Sequence, residues 1–153
     1  MISKKNVNRI VITALIFVVS ILFLQTGCRV QLIADYDASA AQDIIHTYKE
    51  VDHFYQTMEE VDSTNRTYDR FAGAYDSIES DLRVLVLKNA VRPLNQESTK
   101  IAENILSLWQ KYRDAHKKNN SYKDALILLH RDRFFENFKA MLVAEQAKPK
   151  SKS

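Results

Sequence analysis

Apolar positions recur at alternating intervals of three and four along most of this chain, the spacing that lines one face of an α-helix. The first stripe is Ala41, Ile44, Tyr48, Val51, Tyr55 and Met58. The second is Tyr68, Phe71, Tyr75, Ile78, Leu82 and Leu85; Val84, Val86 and Leu87 widen it, which marks this helix as the most buried. The third stripe is Ile101, Ile105, Leu108 and Tyr112, flanked by Leu106 and Trp109. The fourth segment carries Leu126, Ile127, Leu129, Phe134, Phe138, Met141 and Leu142. Between them stand Ser63-Thr64-Asn65, then Pro93 and Asn95, then Asn119-Asn120-Ser121. Proline ends a helix because the residue before it avoids helical angles. Short polar side chains cap helix starts, so Asn95 is expected to cap the third helix. Ser121 and Asp124 are expected to form a capping box for the fourth. The pattern predicts helices over 37–62, 66–91, 96–118 and 122–148. Four long helices joined by short breaks pack as antiparallel neighbours, so the predicted fold is an all-α, antiparallel four-helix bundle over 37–148.

Composition supports this reading. The chain has only 2 glycines and 2 prolines, too few for the frequent turns of a β-sandwich or an α/β fold. The same scarcity leaves no glycine-rich phosphate loop. Of 22 basic and 19 acidic residues, Lys4, Lys5 and Arg9 precede Cys28 and no acidic residue does. The remainder is formally neutral, so the basic balance implies no nucleic-acid partner.

The first residues have a different pattern. Residues 1–9 are polar and basic, and residues 10–24 are apolar apart from Thr13 and Ser20. A basic start, a short apolar run and a small residue before a cleavage point form the secretory signal pattern. An apolar helix of that length would span about 22 Å, short of a hydrocarbon core of roughly 30 Å. A signal peptide over 1–27 is expected, followed by a short membrane tether over 28–36.

Cys28 is the only cysteine, so no internal disulfide can form, and a lone cysteine in an exported chain needs its own explanation. Leu24-Gln25-Thr26-Gly27-Cys28 resembles the lipobox of bacterial lipoproteins. Gly27 and Thr26 match the usual small residues, while Gln25 stands where an aliphatic residue is usual. The resemblance implies lipidation of the Cys28 thiol and cleavage before it. Arg29 follows where an Asp would favour retention in the inner membrane, which by the same resemblance points to an outer membrane. Asp35-Tyr36-Asp37, the run from Tyr75 to Leu85, Arg92-Pro93-Leu94-Asn95 and the run from Phe134 to Leu142 together resemble a group of small helical bacterial lipoproteins. That resemblance carries over no active residues.

Candidate chemistry is sparse. Glu50 and His53 have the Glu-x-x-His spacing of di-iron bundles, but no second such pair exists. His46 and His53 are one heptad apart, about 10.5 Å along a helix, too far to share a metal directly. His116 is expected to help cap the third helix. His130 falls near the apolar side of the fourth and is expected as a hydrogen-bonded boundary residue. Asp76, Glu79 and Asp81 are expected on a solvated face, with Arg83 reaching Glu79 at i+4. Arg131-Asp132-Arg133 interrupts the fourth helix and is a candidate polar contact. No Gly-x-Ser-x-Gly elbow is present, and no Cys-x-x-Cys-His haem attachment.

The sequence therefore predicts no catalytic residue, no metal ligand and no cofactor. It predicts a lipid-anchored protein facing the periplasm, with a non-catalytic interaction role and an envelope protein as partner. The alternative is a periplasmic ligand- or metal-binding bundle. The tail over 149–153 is expected to be disordered.

Overall fold

The structure, a computed structural model, describes residues 32–150. The expected signal peptide over 1–27, Cys28 and Arg29 lie outside the described residues, as do residues 151–153. The rest is a four-helix bundle: α1 (Ala38–Glu60), α2 (Tyr68–Ala90), α3 (Gln96–Asn119) and α4 (Asp124–Gln146). A single 3-10 turn (Ser63–Asn65) joins α1 to α2. Among the described residues there is no strand. Helix α1 packs most extensively on α4, and α2 on α3.

Each helix is fixed by its stripe. Val51, Tyr55 and Met58 of α1, Tyr75 and Leu82 of α2, Ile105 and Trp109 of α3, and Ile127 and Met141 of α4 are fully buried. Burying such a side chain contributes about 1.5–3 kcal/mol. Trp109 is the centre of the packing, edge-on to Phe54 at 5.0 Å and to Phe134 at 5.7 Å and tilted on Tyr75 at 5.2 Å. Its indole N–H donates to the Tyr75 carbonyl at 3.3 Å.

Helix α2 is not the most buried. Val84 and Leu87, expected to widen its core face, are 46% and 61% exposed. The stripe through Leu82 and Leu85 already meets α3 and α1, so residues one or two positions away turn outward.

The ends are closed by side chains. Asp37 caps α1, accepting from the Ser39 and Ala40 N–H groups at 2.8 and 3.3 Å. Asn120, the C-cap of α3 with φ 48°, lends its side-chain oxygen to the Tyr68 N–H at 2.9 Å and so caps α2. Two expected caps work differently. Asn95 is at the N-cap of α3 but makes no capping bond; its amide donates instead to the Asn89 carbonyl and side chain, both at 3.0 Å. The Ser121–Asp124 capping box does not form. Helix α4 begins at Asp124, which pairs with Arg66, while Tyr122 turns into the core.

The stretch expected as a tether is engaged from Ala34 onward. Ala34 N–H donates to the Leu94 carbonyl and Tyr36 N–H to the Pro149 carbonyl, both at 2.9 Å. Pro149 is thus held, and Lys150 sits 5.9 Å above the Tyr36 ring. The first two residues of the expected tail thus find partners on the extended chain at 34–37.

Candidate functional site

The end of the bundle where residues 34–37 enter is a buried ionic latch. Glu145 extends the α4 stripe from Phe134, Phe138 and Met141 and is fully buried. Its carboxylate accepts from Arg92 at 2.9 and 3.0 Å, from the Asp37 N–H at 2.9 Å, and from Lys148. Arg92 also donates to the Asp35 carbonyl at 2.7 Å, and Lys148 to the Asn95 side chain at 2.5 Å. One cluster therefore ties the chain entry, the α2–α3 turn and the end of α4 together. Burial alone would raise the Glu145 pKa. The hydrogen bonds from Arg92, Lys148 and the Asp37 amide outweigh it and hold the carboxyl below its ordinary range.

The opposite end is built on two buried histidines and one buried arginine. His116, expected to cap α3, is 1% exposed. Its position continues the buried set Ile105, Trp109 and Tyr112, which carries it into the core. Nε2–H donates to the Arg66 carbonyl at 3.0 Å, so Nδ1 accepts from the Tyr75 hydroxyl at 3.1 Å. Burial lowers its pKa. His130 stacks on Tyr112 at 3.4 Å with the rings nearly parallel, and its Nδ1 shares a hydrogen bond with the Tyr122 hydroxyl. Burial, then the charges of Arg133 and Lys111, push His130 down to about 4. Both imidazoles are neutral at pH 7. Arg66, only 4% exposed, stitches this end: it donates to the Val61 carbonyl at 2.7 Å, to the Glu59 and Tyr122 carbonyls at 3.3 Å, and to Asp124.

Glu79 is not on a solvated face. Asp76 and Asp81 are exposed, but Glu79 is buried at the α2–α3 seam. It accepts from Arg83 at 2.6 Å, from Gln110 at 3.0 Å and from Arg113. Burial would raise its pKa, and these partners bring it below the ordinary range. The seam buries this one carboxylate because Arg113 and Gln110 of α3 lie opposite it.

The remaining candidates are dispersed. Glu50 sits 3.8 Å from exposed His46, and His53 points to solvent. Among the described residues no three metal-ligating side chains come together. Arg131 joins α4 to α1 through Asp52 at 2.6 and 3.2 Å, and Arg133 joins α4 to α3 through the Tyr112 hydroxyl at 2.8 Å. Cys28, the candidate lipidation site, lies outside the described residues.

The sequence reading missed the latch and Arg66. For Glu145 the signal was present, since it falls on the α4 stripe four residues after Met141. Arg66 follows an irregular turn and carries no periodic signal. Compared with protein-family models, curated proteins and solved structures, the chain matches none of them.

Proposed function

We propose that this chain is a bacterial lipoprotein, anchored through Cys28 and facing the periplasm, with a non-catalytic interaction role in the cell envelope. The observation that carries the reading is the run Leu24-Gln25-Thr26-Gly27-Cys28 after a basic start and a short apolar stretch. A diacylated or triacylated cysteine supplies more than one acyl chain, which stable anchoring requires. Arg29 in place of Asp favours the outer membrane over the inner. From Cys28 to Ala34 the chain reaches at most about 22 Å, and Ala34 is already bonded to the bundle. A lipid on Cys28 would keep the bundle near the membrane surface, within reach of a partner in or above that membrane.

The non-catalytic part rests on the state of the buried groups. Among the described residues, every buried histidine, carboxylate and basic side chain is held by hydrogen bonds or ion pairs from within the bundle. These groups serve the fold.

The test is membrane fractionation of the full chain beside its Cys28→Ser form, with an acyl-chain label. The reading expects label on the parent chain only, and loss of anchoring or mislocalisation of the variant. Continued stable anchoring of an unlabelled Cys28→Ser form, equal to the parent, would sink it.

A further inference from the structure

Along the outward side of α4, Leu128, Asp132, Phe135, Lys139 and Val143 follow at intervals of four, three, four and four. That spacing makes them one stripe. Leu128, Phe135 and Val143 are 57%, 43% and 58% exposed, although Ile127, Phe134, Phe138 and Met141 already bury the opposite face. A helix that is apolar on both faces is covered on both.

The stripe runs beside α1, where two hollows adjoin at Tyr48 and Phe135. One is apolar, about 220 Å³ in volume, and is lined by Ile44, Ile45, Leu142 and Val143 among others. The other carries Leu128, Asp132 and the Arg131–Asp52 pair. From either end the stripe reads apolar, charged, aromatic, charged, apolar, and its two charges have opposite sign.

We propose that a second copy of this chain covers this face through a two-fold, antiparallel contact of α4 with α4. About an axis at Phe135, Leu128 of each copy meets Val143 of the other and stands over its apolar hollow. Asp132 meets Lys139, twice, and the two Phe135 rings meet each other. An interface between identical copies must be complementary to itself in this way. The Asp132 side chain makes no hydrogen bond or ion pair among the described residues. It cannot use its own Lys139, one heptad away at about 10.5 Å. Lys139 pairs with Glu136 at 3.2 Å, with both side chains exposed, a contact weak enough to yield. The inference goes beyond the lipoprotein reading and does not depend on it.

A contact of one helix pair is small among stable interfaces, so proximity cross-linking suits it better than gel filtration. The full chain carrying Glu136→Cys, beside the axis and exposed, oxidised in the cells that produce it, is expected to give a disulfide-linked homodimer. The parent chain, with Cys28 alone, and a Val84→Cys control on the exposed side of α2 should not. Adding Asp132→Lys should cut the linked fraction about tenfold or more, since like charges then face each other. Adding Lys139→Asp to that variant should restore it. All these positions are exposed, so the fold is not at stake. No homodimer above the parent, indifference to Asp132→Lys, no rescue by Lys139→Asp, or capture of the new thiol only by a different protein each overturns the proposal.

Discussion

At one end of the bundle, the Glu145 carboxylate is held between two cations, Arg92 and Lys148. At the other, His116 and His130 are buried uncharged, with Tyr75, Tyr122 and Tyr112 as partners. Both ends have the same task, which is to join loops and termini where helices no longer shield the core. They differ in what they require of pH. The latch needs its carboxylate ionised, and the histidine end needs its imidazoles neutral. A bundle end can thus be closed around an ionised carboxylate or around neutral imidazoles, and as pH falls the imidazoles yield first.

The largest expected effect breaks the latch. Glu145→Ala leaves Arg92 and Lys148 with no counter-charge at a buried site, and should cost about 3–5 kcal/mol in urea unfolding. A loss below about 1 kcal/mol would mean that water already screens the cluster. The same variant should free the 34–37 segment, seen as faster amide exchange at Ala34 and Tyr36.

Next comes pH. A histidine with a lowered folded pKa binds protons more readily when unfolded, so stability falls as pH drops below about 6.5. For His130 the fall continues to its folded value of about 4, and amounts to about 3 kcal/mol over the whole window. Glu145 and Glu79 act in the same direction at lower pH: their lowered pKa values stabilise the fold above the ordinary carboxylate range, and that contribution is lost as pH falls through it. Unfolding measured at pH 7.5 and pH 5 should therefore differ in the parent and much less in His130→Gln. An unchanged difference in that variant would assign the pH dependence elsewhere.

Two smaller substitutions sharpen the comparison. Gly73, mid-helix in α2, has open space around any added Cβ, so Gly73→Ala should stabilise by about 1 kcal/mol through helix propensity alone. It touches neither end and should leave the pH profile intact. Tyr55 is fully buried, and its hydroxyl is the one buried side-chain polar atom without a hydrogen-bond partner among the described residues. Tyr55→Phe should be neutral or stabilising, by under about 1 kcal/mol. A clear destabilisation would reveal a bond that this hydroxyl makes in solution.

The helices were legible because their stripes are regular and glycine and proline are rare. The polar interior was legible only in part. Asn89, His116, His130 and Glu145 all fall on the apolar stripes, so periodicity assigns them to the core even though residue type argues otherwise. The third stripe as the sequence presents it passes through Leu108, but Trp109 is the buried residue and Leu108 is half-buried. That shift of one position moves His116 from the rim to the interior. The partners themselves lie 53 residues apart for Arg92 and Glu145, and 41 for Tyr75 and His116. No local pattern encodes such pairs; they follow from how the helices pack.

The central claim is the anchor at Cys28, and intact-mass spectrometry of the protein extracted from its native membranes tests it most directly. The account predicts a chain that begins at Cys28 and carries acyl groups on that residue. A chain that retains residues 1–27, with an unmodified Cys28 thiol, would contradict it.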